Sequence, residues 1–147
     1  MTCFKCNKGG TFGESKEQLS THKPQLIYDG VCNLCTGAVR LLIAIDRNHA
    51  VEYTPYQILG TNESRTYGLS TSELEGRMHI VQSDGSVARG VTAIAEVCKL
   101  LSPIIALCEL FNTPLAQRLY DALARRRYRV FGCRDSCYVP VVRETGR

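Results

Sequence analysis

Cys32-Asn33-Leu34-Cys35 is the feature of this 147-residue sequence whose residue types and spacing most directly suggest chemistry. Two thiols at i and i+3 of a helix share a face, with β-carbons roughly 5–6 Å apart, close enough to bridge with small adjustment. The residues around the pair supply that helix. Leu26-Ile27-Tyr28 is a short apolar run of strand character, Asp29-Gly30 is a strong turn signal, and Val31, Cys35, Ala38, Val39, Leu42 and Ile45 then recur at three and four. The cysteines therefore fall where a strand turns into the first turn of a helix, whose unpaired amides favour an anion on the leading sulfur. Lowering a free thiol from about 8.5 to about 7 takes roughly 2 kcal/mol, within reach of a partly buried helix terminus. Cys32 is the expected nucleophile, ionisable and reachable. Cys35, one turn in and expected to be the more buried, keeps its proton until it resolves a mixed disulfide. Asp29 pulls two ways: its charge opposes a thiolate on Cys32, and it is a candidate acceptor for the Cys35 proton. A CxxC in this context points to dithiol-disulfide exchange with a protein or small-molecule partner, chemistry that calls on no cofactor or metal. The competing readings are half of a zinc site or two small buried residues.

The chain has eight cysteines, and the remaining six divide by setting. Cys3-Phe4-Lys5-Cys6 is a second CxxC, and Cys133 and Cys137 form a CxxxC. These four could form a thiolate zinc site if the termini meet. Alternatively Cys3 and Cys6 are exposed thiols, and Cys133 or Cys137 exchanges with the Cys32–Cys35 pair where the fold brings it near. Cys98 and Cys108 each follow an isoleucine by four and read as small core residues. His22, His49 and His79 show no metal-ligand spacing and read as surface or edge-strand imidazoles.

The elements that must position the dithiol follow from periodicity. After the first strand and helix, which ends near 46–48, residues 51–56 read as a second strand that stops at Pro55, so a helix crosses over between parallel strands. A polar segment from 57 to 76, helical or looped, precedes a hairpin in which 78–82 and 86–89 flank Ser83-Asp84-Gly85. Residues 91–101 return to helical spacing, and Pro103 and Pro114 each stand where a fresh helix can begin. The fold class is α/β, a small mixed sheet flanked by helices, thioredoxin-like in order, with a helical C-terminal extension. Residues 1–23, poor in apolar side chains and closed by Pro24, read as a poorly ordered appendage to a domain spanning 24–147.

Charge raises a rival from another class. Residues 1–117 carry ten basic and eleven acidic side chains, so the net charge of +4 comes from the tail, where Arg118 to Arg147 supplies eight arginines against Asp121, Asp135 and Glu144. Arg125-Arg126-Arg127-Tyr128-Arg129 could grip phosphates, and the alternative function is a zinc-stabilised or nucleic-acid-binding module with structural CxxC pairs. Helical spacing instead places Arg118, Arg125, Arg126 and Arg129 on a solvated face, with Leu115, Leu119, Leu123 and Arg127 or Val130 turned inward. Nucleic acid is the less favoured partner, and an arginine near Cys32 would further stabilise its thiolate. No stretch approaches the roughly 20 apolar residues that span a bilayer, and with no secretory apolar run the expected location is cytoplasmic.

Tyr28-Asp29-Gly30-Val31-Cys32-Asn33-Leu34-Cys35, together with Arg127-Tyr128-Arg129-Val130-Phe131-Gly132 and Cys137-Tyr138-Val139-Pro140, resembles the DCC family of thiol-disulfide oxidoreductases over about residues 24 to 140. The resemblance implies a thioredoxin-like fold, dithiol-disulfide activity on Cys32 and Cys35, and Asp29 as the acidic member of the motif. Where thioredoxin-like enzymes place a cis-proline before the third strand, this chain has Glu75-Gly76-Arg77-Met78.

Overall fold

The computed structural model describes residues 23–59, 66–101 and 113–140. Strand β1 (Gln25–Tyr28) is the spine of the molecule, with Leu26, Ile27 and Tyr28 at most 1% exposed. Alternation along a strand sends successive side chains to opposite faces. Leu26 and Tyr28 accordingly join one core with Val39, Leu42, Ile80, Ala93 and Val97. Ile27 joins a second core with Leu59, Leu69, Leu74 and Val81. Because both faces of β1 are covered, three successive apolar residues are needed there, and a polar alternation would not serve.

Strand β2 (Glu52–Pro55) lies parallel to β1, with Leu26 opposite Tyr53, and helix α1 (Asn33–Ile45) makes the crossover that parallel pairing requires. Helix α2 (Thr71–Gly76) opens with a capping box between Ser70 and Glu73. Strands β3 (His79–Val81) and β4 (Val87–Arg89) form the hairpin, β3 pairing antiparallel to β1 with Ile80 opposite Leu26. Its turn needs Gly85, whose φ of 82° lies in the left-handed region. The sheet order β2-β1-β3-β4, with helix α3 (Val91–Leu101) packed on β3 and β4, is a thioredoxin-like arrangement. Helix α4 (Pro114–Phe131) is capped by Thr113, which accepts the Ala116 N–H, and has Pro114 in its first turn. None of the helices among the described residues is long and apolar enough to cross a membrane.

Two expectations are corrected here. His79 is 1% exposed and sits on β3, an interior strand, where burial pushes its imidazole below the usual range; it is neither a surface nor an edge residue. In helix α4 Arg127 is turned inward, as one of the two expected alternatives had it, but the leucines and Val130 are not. Leu115, Leu119 and Val130 are 63–65% exposed, Leu123 is exposed as well, and the buried residue of the helix is Arg127. The helix packs instead through polar contacts: Tyr120 Oη accepts the Met78 N–H, and Asp121 pairs with Arg77. The four arginines assigned to a solvated face are exposed. The helix start at Pro103 and nearly all of the N-terminal appendage, residues 1–22, lie outside the described residues.

Candidate dithiol site

Cys32 is the N-cap of α1, its backbone extended and its sulfur accepting the Cys35 N–H at 3.5 Å. The next turn is closed by Thr36 N–H to Cys32 C=O at 2.9 Å. A sulfur in the N-cap position takes the place of the side-chain oxygen that usually satisfies a free helix amide, and negative charge is favoured there. The Cys32 thiol is drawn down to about 7, chiefly by the hydrogen bond from the Cys35 thiol. Burial opposes this shift, while the Cys35 N–H and the charge of Arg127 add to it. Cys35 moves the other way: donating to Cys32 and being buried both hold its proton on, far above the usual thiol range. Adjacent titratable groups pushed apart in this way are suited to opposite roles in one reaction.

The two sulfurs rest against a buried ion pair. Arg127, brought from the last turns of α4, is 2% exposed and Asp29 is 1% exposed. Arg127 Nη2 meets Asp29 Oδ2 at 3.0 Å and also donates to the Glu75 carbonyl, while Nη1 reaches Cys35 Sγ at 3.5 Å. The Tyr128 hydroxyl donates to the same Asp29 oxygen; burial and that carboxylate hold the phenol proton on. The other oxygen, Oδ1, accepts Val31 N–H at 3.1 Å and Gln57 Nε2 at 2.6 Å. All four donors are in place, which is what a buried carboxylate requires. Arg127 thus delivers a neutralised but fixed positive charge to the cysteines, and its contact with the Glu75 carbonyl ties in the C-terminal end of α2.

A family profile described as DCC1-like thiol-disulfide oxidoreductase matches residues 26–133. The chain belongs to the DCC1-like family. Among similar proteins, "Uncharacterized protein YuxK" of Bacillus subtilis (strain 168) is 33% identical over 119 residues, 78% of this chain and 85% of the relative. "DCC family protein At1g52590, chloroplastic" of Arabidopsis thaliana is 32% identical over 120 residues, 78% of this chain and 69% of the relative. No solved structure matches.

A segment C-terminal to α4 closes over the dithiol of this DCC1-like chain. Gly132, with φ of 71°, ends the helix and turns the chain back. Cys133 then pairs with Cys32 in an isolated antiparallel bridge. Arg134 N–H donates to Val31 C=O at 2.8 Å, Tyr138 N–H to Gly30 C=O at 2.9 Å, and Tyr28 Oη to Tyr138 C=O at 2.7 Å. Asn33, between the two cysteines, fastens the near end through Nδ2 to Phe131 C=O at 2.9 Å. As a result Cys32 is 0% exposed and Cys35 5%, so the leading sulfur is covered rather than reachable. Gly30 is required under this strap: a Cβ there would lie 2.5 Å from Cys137 Sγ and 2.8 Å from Pro55 Cβ.

The remaining cysteines are placed as follows. Cys32, Cys35, Cys98 and Cys137 are thiols, and Cys133 is disulfide-bonded. Cys137 Sγ donates to Gln57 Oε1 at 3.6 Å, and Cys98 is buried on α3, as its spacing suggested. Cys3, Cys6 and Cys108 lie outside the described residues. Among the described residues, no group of three or more His, Cys, Asp or Glu side chains is arranged to hold a metal ion. Sequence reasoning passed over Gln57, which bonds Asp29 on one side and Gly30 N–H at 3.0 Å on the other. No local pattern marks it, since its partners are 27 and 28 residues away.

Proposed function

We propose that this protein is a thiol-disulfide oxidoreductase in which Cys32 attacks and Cys35 resolves, acting on a disulfide-containing protein or a small disulfide. The observation that carries this reading is the N-cap dithiol itself: two sulfurs one helical turn apart, against a buried guanidinium, with the leading thiol titrating near 7 and its neighbour held protonated. Cys32 as thiolate attacks one sulfur of the substrate, and the other leaves as a thiolate and is protonated. Cys35 then gives up its proton and attacks Cys32 Sγ. The Cys32–Cys35 disulfide forms as the remaining substrate half departs, taking a proton to become a thiol. A reducing thiol restores the dithiol. The four donors on its carboxylate favour Asp29 as a positioning residue over a proton acceptor: it fixes Arg127 against Cys35.

The test is reduction of insulin or a small disulfide by the full chain. Cys32→Ser abolishes turnover, and Cys35→Ser leaves Cys32 trapped in an unresolved disulfide, read by non-reducing peptide mapping. Wild-type turnover in both variants removes the reading.

A further inference from the structure

The dithiol is covered, with Cys32 fully buried and Cys35 nearly so, so a substrate disulfide meets Cys32 only by way of the strap that covers it. The covering strap carries a sulfur of its own. We infer that Cys133, a partly exposed residue, is the third cysteine of the reaction, through which external disulfides exchange with the buried Cys32–Cys35 pair. This deepens the oxidoreductase reading and rests on it.

Three observations carry the inference. Cys133 stands opposite Cys32 in the antiparallel bridge, and the neighbouring ladder bond, Arg134 N–H to Val31 C=O, links the residues flanking the pair. Cys32 and Cys133 therefore occupy the narrow, non-hydrogen-bonded type of pair, in which α-carbons approach to about 4.5 Å and side chains are closest. That separation lies within the range a disulfide spans. Second, Cys133 is partly exposed where Cys32 is not. Third, Cys133 is already disulfide-bonded while Cys32 and Cys35 are thiols, so an oxidised sulfur faces the nucleophile across the bridge. The strap holds this register through the Tyr138 and Asn33 bonds on either side.

The exchange balances. The Cys32 thiolate attacks Cys133 Sγ, forming the Cys32–Cys133 bond and breaking the bond from Cys133 to its partner sulfur, which leaves with the electron pair and takes a proton. Cys35 then loses its proton and attacks Cys32 Sγ; the Cys32–Cys35 disulfide forms and Cys133 leaves as a thiolate that is protonated. Two electrons pass from the dithiol to the disulfide, which ends as two thiols. In turnover the group on Cys133 is half of an external disulfide that the Cys133 thiolate has opened, and a small-molecule thiol such as glutathione reduces the Cys32–Cys35 bond.

The test uses the full chain in two arms. Cys35→Ser, reduced and then exposed to oxidised glutathione, accumulates a Cys32–Cys133 disulfide identified by non-reducing peptide mapping; a folded variant carrying only glutathione adducts overturns the relay. Cys133→Ser loses roughly tenfold or more of insulin-reducing turnover, while the Cys32 titration, followed by the pH dependence of alkylation, stays near 7. Wild-type turnover in Cys133→Ser overturns the relay but leaves the oxidoreductase reading intact if Cys32→Ser is inactive. Wild-type turnover in Cys32→Ser overturns both.

Discussion

Two aspartates are buried on either side of α1, Asp29 ahead of it at 1% exposure and Asp46 as its C-cap at 3%, and they are satisfied by different means. Asp46 accepts Ala50 N–H at 2.8 Å, Val51 N–H at 3.1 Å and the Tyr53 hydroxyl at 3.3 Å, all from residues at most seven positions away. Asp29 takes one local amide, Val31 N–H, and draws its other donors from Gln57, Arg127 and Tyr128, 28 to 99 positions away. The first carboxylate shapes the turn from α1 into β2. The second fixes a cation beside two sulfurs. Burial alone does not separate a structural acid from one serving a reactive site; the reach and charge of its donors do.

The largest expected difference comes from the cation. Arg127→Met leaves the Asp29 carboxylate buried without its counter-charge and is expected to cost about 3–5 kcal/mol in denaturant unfolding. It also removes one of the influences that lower the Cys32 thiol, so half-maximal alkylation moves above pH 7. Adding Asp29→Leu to Arg127→Met should recover part of the stability, because no unpaired charge then remains. A single variant as stable as wild type would erase the distinction between the two aspartates. Asp46→Asn, which loses acceptor capacity but strands no cation, is expected to cost about 1–3 kcal/mol and to leave the Cys32 titration in place. A shift of that titration would show that the two ends of α1 communicate.

A smaller effect belongs to pH. The folded-state value of Cys32, about 7, lies below that of an ordinary thiol, so its contribution is complete above the unfolded value and is lost as pH falls through 7. Cys35, shifted upward, opposes this only above the ordinary thiol range. Between pH 7 and about 8.5 the reduced wild-type protein should therefore gain about 1 kcal/mol with rising pH relative to Cys32→Ser. Equal slopes in the two unfolding series would contradict the lowered thiol. The smallest change is expected on the outer face of α4, where Leu119 is 63% exposed. Leu119→Ala should alter stability by no more than about 0.5 kcal/mol.

Much of the fold could be read in advance because it is written in short-range pattern. The apolar run before Asp29-Gly30, the three-four spacing from Val31 and the turn at Ser83-Asp84-Gly85 each specify an element from neighbouring residues. The cysteines at the head of α1 were legible for the same reason. What periodicity does not encode is which of two plausible helix faces turns inward. In α4 the leucines and Arg127 share one repeat, and which of them is buried was decided by partners 52 to 98 positions away, the Glu75 carbonyl, Cys35 and Asp29. The burial of Cys32 escaped for a like cause, since its cover arrives from about a hundred residues downstream. Asp46 was passed over because an acid at a helix end reads as a solvated terminus until the next strand's amides close on it.

The sulfur of Cys32 is also the group that closes the first turn of a 13-residue helix. Consuming it in a disulfide withdraws the negative charge from that turn, so α1 is better anchored when electrons are present than when they have been given up. Stability and electron affinity are thereby tied together: whatever firmness the helix draws from the thiolate biases the couple toward holding its electrons and makes its oxidised form the stronger oxidant.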